Sequence, residues 1–335
     1  MLDANTVAVY IPVLRGTVHN GCMIDPRLEL LRAVDEHGTV TGAAEAMSRS
    51  PSGVSRQLRE LARELGVALF DHVGRRVQLT EAGRTLVQHA HQLAEQAERA
   101  LAAVRTTTDE ISGQVVVAGH ITALGSLIAP SIGRLHSRHS ALRVIAEERQ
   151  PREAIPGLLS AAIDLAVMPV TAEAPAVTDP RCAVLDIGVE PIDLLVSQTH
   201  RLVGADEIAL IEAAAEEWIL GSREHDSRTE TLSACHRAGF NPRPAHYAQD
   251  WSAVAALVAA NLGVALVPRS VPTQWYPGTS RVFLGGHAPP MRRIIACTRA
   301  GAEDTPALGV VVDELRDLAR AWTSNQDPEM DIDMP

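Results

Sequence analysis

One predicted helix carries hydroxyl and guanidinium groups on a single face. Helical periodicity between Pro51 and Leu65 places five polar residues on one side: Ser52, Ser55, Arg56, Arg59 and Arg63. It places four apolar residues on the opposite side: Val54, Leu58, Leu61 and Leu65. Arginines bind phosphates and guanine, and small residues near a helix start allow close approach to base edges. This face therefore suits the major groove of DNA, and the solvated face of an ordinary surface helix is the alternative.

The residues that follow this helix predict a basic hairpin. Residues 69–80 read as two short strands around a turn at Gly74 and Arg75, with Arg76 next to the turn. Such a hairpin after a helix-turn-helix resembles a wing that lies on the phosphate backbone. Between Met47 and Arg84 seven arginines and four acidic residues give a local charge of +3. The whole chain has a net charge of −11, so the remainder carries −14 and the basic charge is local.

Two shorter helices are predicted to hold the basic helix in place. Apolar residues at helical spacing predict the first one, which Gly38 ends: Leu28, Leu31 and Val34. The second spans Thr39–Met47 and carries the small residues Ala43 and Ala44 on its packed side. Ser50 suits an N-cap, Pro51 suits the first helical position, and Gly66 stops the third helix. The three elements predict a helix-turn-helix.

A long helix is predicted next, over residues 85–110. Six apolar residues repeat along it at spacings of 4, 3, 4, 4 and 3, close to a heptad: Leu86, Ala90, Leu93, Ala97, Leu101 and Val104. We interpret them as a dimerisation seam, and packing against the chain's own body is the alternative. A dimer would place two DNA-contact helices on one duplex.

From Gln114 onward, strand-like runs alternate with helical stretches. The predicted strands are Gln114–Gly119, Leu142–Ala146, Asp164–Met168, Ile192–Ser197, Glu217–Leu220, Val264–Val267 and Ile294–Cys297. This alternation is typical of α/β domains with helices covering a sheet. Two lobes fit the pattern, and we expect the chain to cross between them near residues 189 and 289.

Several segments, in order and without gaps, resemble the LysR-type transcriptional regulators. Those in the first part are Gly38–Met47, Ser50–Leu58, Glu64–Phe70 and Gly74–Gly83. A weaker resemblance continues to about residue 322 in three further segments: Leu158–Val167, Ala238–Pro242 and Leu257–Pro268. The chain departs from the family at Ser50-Pro51-Ser52, where the family usually has Ser-Gln-Pro, and at His72, where an arginine is common.

The resemblance implies an α/β fold with an N-terminal winged helix-turn-helix, a long linker helix and a two-lobed, periplasmic-binding-protein-like effector domain. The implied domains are a helix-turn-helix at 24–83, a linker/dimerisation helix at 84–110, and an effector-binding domain at 113–322. In this last domain, lobe I comprises 113–189 and 290–322, and lobe II comprises 190–289. Residues 1–23 are read as a disordered extension, and 323–335 as an acidic tail.

The implied function is that of a ligand-responsive regulator that binds promoter DNA as a homodimer or homotetramer. The predicted DNA contacts are Thr41, Arg49, Ser50, Ser52, Gly53, Ser55, Arg56, Arg59, Arg75 and Arg76. A small, anionic effector is expected between the lobes, where helix N-termini point donors at anions. Matching positions assign the cleft lining to His120, Ile121, Thr122, Met168, Pro169, Gly221, Ser222, Asp250 and Trp251.

The family's loop after the first strand usually offers hydroxyl groups to a carboxylate. In this chain Thr122 occupies that loop, with His120 as a cationic or donor partner. The alternative for His120 is an ordinary surface or core histidine, because the assignment rests on loop position alone.

Composition excludes several other classes. The chain has 335 residues, 46% of them hydrophobic, which is typical of a globular protein with its own cores. The best apolar run, Ala253–Val267, is too short to span a bilayer and is interrupted by Asn261 and Gly263. The four cysteines are far apart and form no CxxC pair. We therefore expect a cytoplasmic protein without a disulfide framework, bound metal or cofactor.

Four alternatives remain open at this point, and one of them is a regulator that has lost effector binding and acts constitutively. A solute-binding protein would explain the two lobes, but it predicts a secretory signal and no basic helix. An enzyme that uses the cleft needs a nucleophile–base pair or a metal cluster at one place, and none is evident. Redox sensing through Cys182 and Cys235 is possible, although neither has an obvious thiolate-stabilising neighbour. We predict a regulator rather than an enzyme.

Overall fold

A computed structural model describes residues 24–47, 49–73, 76–105, 111–222, 226–273 and 276–323. The predicted N-terminal extension, the acidic tail from residue 324 and the wing turn at Gly74 and Arg75 lie outside the described residues.

Three helices open the described chain: α1 (Pro26–His37), α2 (Val40–Ala46) and α3 (Pro51–Leu65). Their ends follow from local chemistry. Thr39 accepts a hydrogen bond from the Gly42 N–H at 3.0 Å, and Ser50 accepts one from the Gly53 N–H at 3.2 Å. Gly38 and Gly66 end α1 and α3 with φ of 66° and 71°, a left-handed conformation that glycine adopts without strain. These caps confirm the predicted helix-turn-helix.

The apolar faces of these helices form one small core. It includes Leu30, Leu31, Val34, Ala43, Ala44, Val54, Leu58 and Val87. The predicted stripe of α3 is buried at Val54, Leu58 and Leu61 but not at Leu65, which is 49% exposed. The prediction for Leu65 is wrong, because this last residue before the Gly66 cap extends past the helices that cover the rest of the stripe.

A hairpin and a long helix follow the third helix. Strands β1 (Phe70–Val73) and β2 (Arg76–Leu79) pair antiparallel, which confirms the predicted hairpin. Helix α4 spans Glu81–Arg105. Thr80 caps its first turn, because its hydroxyl accepts a hydrogen bond from the Gly83 N–H at 2.9 Å.

The six residues of the predicted dimerisation seam do not share one environment. Ala90 is fully buried against α1 and α3, and Ala97 is 5% exposed. Leu93 and Val104 are 48% and 68% exposed, and Leu86 and Leu101 are intermediate. Packing on the chain's own body, the alternative that we considered, therefore holds for Ala90 and Ala97. Their small side chains let neighbouring elements approach α4 closely.

The C-terminal part is built on a seven-stranded sheet with the order β10-β6-β13-β5-β3-β4 and β11 paired to β6. Its strands are β3 (Gly113–Gly119), β4 (Leu142–Glu148), β5 (Leu165–Pro169), β6 (Cys182–Ser197), β10 (Ala265–Pro268), β11 (Thr279–Val282) and β13 (Met291–Arg299). Strand β3 pairs parallel to β4 and β5, and β13 pairs antiparallel to β5 and β6. All seven predicted strands exist, although the strand predicted from Ile192 is only the end of the longer β6 and the one predicted from Ile294 is only the middle of the longer β13.

Strands β6 and β13 connect two lobes. The first half of β6 pairs with β13, and its end pairs with β10 and β11, so the chain passes between lobes around Glu190 and back around Pro290. We call the part around β3, β4 and β5 lobe I, and the part around β10 and β11 lobe II. Lobe II also contains strands that the sequence did not predict: β7 (Ile208–Ala209), β9 (Arg243–Tyr247) and β12 (Leu284–Gly285). The predicted strand β8 (Glu217–Leu220) pairs parallel to β9.

Helices cover both lobes. In lobe I, α5 (Ile121–Ala123) continues through a π-helical segment (Leu124–Ile128) into α6 (Ala129–Arg138), and α7 (Pro151–Leu159) and α10 (Pro306–Ala319) complete the layer. In lobe II the helices are α8 (Asp226–Arg237) and α9 (Trp251–Ala259). Short 3-10 segments occur at Leu210–Ala213 and Arg320–Thr323. Each lobe buries its own apolar clusters. Among the described residues, no helix is long and apolar enough to cross a membrane.

Candidate functional site

The outer face of α3 exposes arginines without carboxylate partners. Arg56 and Arg59 are exposed, as are Arg49 before the helix and Arg63 near its end. In the described part of the chain, none of these four forms an ion pair. By contrast, Arg27 of α1 is bound by Asp25 at 2.6 Å and Glu64 at 2.8 Å. The uncompensated guanidinium groups of α3 are therefore available to phosphate oxygens.

The remaining predicted DNA contacts surround the start of α3. Thr41 and Ser52 are exposed, and Ser55 is half-buried. The Ser50 hydroxyl caps the helix, and a Cβ on Gly53 would lie 2.9 Å from that hydroxyl oxygen, so glycine leaves room for the cap. Arg75 and the side chain of Arg76 lie outside the described residues. The DNA-contact assignment as a whole stays a prediction.

A second candidate site is a cavity of about 370 Å³ between the lobes. Lobe I contributes His120, Ile121, Thr122, Gln150, Pro151, Arg152, Pro169 and Glu173. Lobe II contributes Ile219, Gly221, Ser222, Ser227, Glu230, Thr231, Ala248, Gln249, Trp251, Val254, Ala265 and Leu266. Arg292, at the start of β13, completes the lining.

The structure brings together seven of the nine predicted cleft residues: His120, Ile121, Thr122, Pro169, Gly221, Ser222 and Trp251. Met168 does not line the cavity. Its side chain is 2% exposed and packs in the apolar cluster on the α7 side of the sheet, because neighbouring strand residues alternate between faces. Asp250 does not line it either, because its carboxylate caps α9 and accepts the Ser252 N–H at 2.9 Å.

His120 and Thr122 form a small network at the start of α5. The His120 Nδ1 accepts the Ala123 N–H at 3.1 Å and lies 2.9 Å from the Thr122 Oγ1. The His120 Nε2 lies 3.1 Å from the same hydroxyl oxygen. The structure therefore assigns His120 a role as helix cap, and its donor or cationic role toward an effector stays a prediction.

The start of four helices faces the cavity. His120 and Ile121 belong to the start of α5, Pro151 to α7, Ser227 to α8 and Trp251 to α9. Helix N-termini carry partial positive charge, which stabilises negative charge, although the N–H groups of Ala123 in α5 and Ser252 in α9 are already bound by His120 and Asp250. At the rim, Arg152 is a cation whose side chain is 68% exposed. The electrostatics of the wall therefore favour an anion, although two carboxylates, Glu173 and Glu230, also line the cavity.

Arg292 is the functional candidate that sequence reasoning missed. Its guanidinium Nε donates to the Glu190 Oε2 at 2.7 Å, and its Nη2 donates to the Thr122 Oγ1 at 3.2 Å. A signal was present in the sequence, because Glu190 and Arg292 each stand just before an apolar strand run at a predicted crossing point. Their opposite charges on two adjoining strands would have indicated a pair.

The described thiols are buried and protonated. Burial raises the pKa of Cys182 to about 11 and the pKa of both Cys235 and Cys297 to about 12. All three are free cysteines, and Cys22 lies outside the described residues. Because the thiolate is the reactive form, these positions disfavour the redox-sensing alternative. The described residues also contain no group of three or more potential metal ligands.

Two family models match the chain. One, described as a bacterial regulatory helix-turn-helix protein of the lysR family, matches residues 26–84. The other, described as a LysR substrate binding domain, matches residues 108–320. The first covers the helices and hairpin around α3, and the second covers both lobes and their cavity.

Individual relatives agree with these matches. The HTH-type transcriptional regulator ShiR of Corynebacterium glutamicum (strain R) is 30% identical over 273 residues, which is 80% of this chain and 90% of the relative. A hydrogen peroxide-inducible genes activator of Pectobacterium carotovorum is 27% identical over 249 residues, covering 74% and 80%. The solved structure of full-length CbnR complexed with its target DNA has a TM-score of 0.55 and 23% identity, covering 88% of this chain and 99% of that one.

Proposed function

Because the chain belongs to the LysR family of bacterial regulatory helix-turn-helix proteins, we propose that its dimer binds promoter DNA through paired α3 helices and that a small anionic effector in the interlobe cavity modulates this binding. The observation that carries the proposal is the pairing of two surfaces in one chain. One is the uncompensated cationic face of α3, and the other is a cavity faced by four helix N-termini.

The DNA contacts that we propose follow from exposure and charge. Arg56 and Arg59 contact base edges or phosphates, while the small residues Ser52 and Gly53 allow the helix start to approach the groove. The hairpin arginines Arg75 and Arg76 act on the backbone as a wing. The CbnR structure supports this arrangement, since that protein has a similar fold and was solved in complex with its target DNA.

Dimerisation through α4 uses the part of the predicted seam that remains exposed. The seam residues available for this are Leu86, Leu93, Leu101 and Val104, at spacings of 7, 8 and 3. None of the four is buried, and Leu93 and Val104 are the most exposed. A second copy of the chain covers this stripe, while the opposite side of α4 is already buried in its own chain. A homotetramer is a further step by analogy with the family.

The effector that we propose is small and carries a carboxylate. The cavity holds about 370 Å³, which suits a metabolite rather than a peptide. Thr122 offers a hydroxyl group, and the helix N-termini add partial positive charge. Occupancy shifts the population between open and closed lobes and so changes the spacing of the two α3 helices. The effect is limited by the difference in effector affinity between the two arrangements.

Peroxide sensing is the competing function for the effector-binding half, because one relative is a hydrogen peroxide-inducible genes activator. The high pKa values of Cys182, Cys235 and Cys297 support a bound effector over oxidation of these thiols. The relatives reported above are regulators, not enzymes or solute carriers. Action on promoter DNA places the proposed site of function in the cytoplasm.

Footprinting on the DNA that flanks the chain's own gene tests the proposal. The full chain is added with and without a panel of small carboxylates, and its mass in solution is measured in parallel. The proposal predicts two protected half-sites separated by a whole number of helical turns, and protection that changes with at least one carboxylate. A monomer that protects no DNA contradicts it.

A further inference from the structure

Glu190 and Arg292 face each other at the point where the chain passes between the lobes. They are direct partners in the antiparallel register of β6 and β13. The carboxylate and guanidinium are 2.7 Å apart, and the two side chains are only 1% and 10% exposed. A buried ion pair in a hinge needs further hydrogen bonds to offset its desolvation, so its other contacts are informative.

Those contacts reach both lobes. The Glu190 Oε1 accepts the backbone N–H of Ser270 in lobe II at 2.9 Å. The Arg292 Nη2 donates to the Thr122 hydroxyl oxygen in lobe I at 3.2 Å. A continuous chain of polar contacts therefore runs from the cavity wall through both crossing strands to lobe II.

One terminal nitrogen of the Arg292 guanidinium is not used in these contacts. A guanidinium has five N–H donors, and here Nε is used by Glu190 and Nη2 by Thr122. Within the described part of the chain no hydrogen bond is formed by Nη1, although the side chain is nine-tenths buried and lines the cavity. A buried cation with unused donors in a cavity wall favours an oxyanion, which accepts two parallel N–H bonds.

We propose that Arg292 is the residue that binds the carboxylate of the effector and that Glu190 positions it. This inference rests on the proposed effector cavity and specifies its ligand chemistry. The carboxylate accepts from Nη1 of Arg292 and from the Thr122 hydroxyl. The Glu190 carboxylate also accepts the Ser270 N–H. A movement of Arg292 toward the ligand is therefore transmitted to lobe II through the two crossing strands.

Arg152 is the other arginine of the cavity wall, and it is a weaker candidate. Its side chain is 68% exposed, so solvent screens its charge. It also belongs to the rim, whereas Arg292 lies on the strand that joins the lobes. An anion held at Arg292 contacts the hinge itself, and an anion held at Arg152 does not.

The test measures the affinity of the full-length protein for acetate, succinate, benzoate and citrate, with inorganic phosphate as a separate arm. Binding is followed by calorimetry and by intrinsic tryptophan fluorescence, to which Trp251 in the cavity wall contributes. The matched control is Arg293→Gln, because Arg293 is the next residue of β13, is 61% exposed and pairs with Asp186. We expect wild type and the control to bind at least one carboxylate equally, and Arg292→Gln to bind it at least about tenfold more weakly.

Glu190→Gln separates positioning from mere structural support. It removes the charge that compensates Arg292 but keeps an amide oxygen that can accept the Nε–H and hold the guanidinium in place. We therefore expect carboxylate affinity to rise, and a fall would contradict the positioning role. The double variant Glu190→Gln with Arg292→Gln replaces both charges and avoids an unpaired buried carboxylate, so it serves if the single variant does not fold. We expect it to lose binding.

Three outcomes overturn the proposal, and each is distinct from the others. If Arg292→Gln or the double variant retains wild-type affinity while Thr122→Val loses it, the cavity binds an effector but Arg292 is not its anchor. If wild type binds phosphate in preference to every carboxylate, the ligand class is wrong. If wild type binds none of the probes, the proposed effector cavity itself is contradicted along with the role of Arg292.

Discussion

Glu98 of helix α4 and Arg299 of strand β13 form an ion pair that joins the helix-turn-helix half of the chain to lobe I. The Glu98 Oε1 and Arg299 Nε are 2.6 Å apart, and the side chains are 8% and 14% exposed. Arg299 also donates to the backbone oxygen of Ile163 at 2.8 Å and contacts Asp164 at 3.1 Å. One guanidinium thus connects α4 with the body of lobe I.

This pair predicts a large loss of stability in Glu98→Ala. Removing one partner leaves Arg299 buried with less compensating charge, which costs about 3–5 kcal/mol. The matched control is Glu95→Ala, three residues earlier, whose partner Arg99 is 50% exposed. An exposed pair of this kind contributes at most about 0.5 kcal/mol. Urea denaturation of the three proteins checks the difference, and equal midpoints would contradict the structural role of the pair.

The half-buried position of His91 in α4 predicts that the stability of the folded protein depends on pH. Its Nδ1 accepts a hydrogen bond from Arg32 at 3.1 Å, and burial together with the nearby charges of Arg32 and Arg181 lowers its pKa to about 4. An unfolded histidine titrates near about 6.5. As the pH falls from about 6.5 to 4, His91 therefore binds a proton in the unfolded chain but not in the folded chain, and the free energy of unfolding decreases.

His91→Gln removes this contribution. We expect the melting temperature of wild type to fall more steeply than that of His91→Gln between about pH 7 and pH 5. His89→Gln, an exposed position on the same helix, should follow wild type. Parallel curves for wild type and His91→Gln would show that the buried imidazole is not responsible.

Local rules made the helix-turn-helix predictable. Thr39 and Ser50 begin their helices and Gly66 ends one through contacts with near neighbours in sequence, so the sequence alone indicates these positions. The apolar spacing along α4 was also visible, but periodicity does not say what a stripe packs against. Ala90 turned out to face its own chain because the folded core lies on that side.

The cavity was predictable in part for a similar reason. The resemblance to a family gives loop positions, and it correctly brought Thr122 and Trp251 to one cavity. It did not give the direction of individual side chains. Met168 points into the core, Asp250 caps a helix, and Arg292 reaches the cavity only because of the register between β6 and β13.

Thr122→Val tests the effector site without a large change in side-chain volume. The hydroxyl that contacts Arg292 and His120 is lost, so we expect the effector-dependent change in DNA protection to disappear. The measurement is footprinting with the carboxylate that is active on wild type. A full response in this variant would mean that the carboxylate binds elsewhere.

Arg75→Ala tests the wing, which was predicted from the sequence. A phosphate contact carries no sequence information, so we expect weaker binding to all DNA sequences and a salt slope reduced by about one. Titration of specific and unrelated duplexes at several salt concentrations measures both. A loss restricted to the specific duplex would indicate a base contact instead.

The central claim is that the exposed arginines of α3 bind duplex DNA. Its most direct test is the affinity of wild type, Arg56→Ala and Arg59→Ala for the protected promoter fragment, measured by fluorescence anisotropy at low salt. Arg143→Ala is the matched control, because Arg143 is an exposed arginine of strand β4 in the other half of the chain. We predict a loss of about 1–3 kcal/mol for each α3 variant and none for the control. Unchanged affinity in both α3 variants, or no binding by wild type, would contradict the claim.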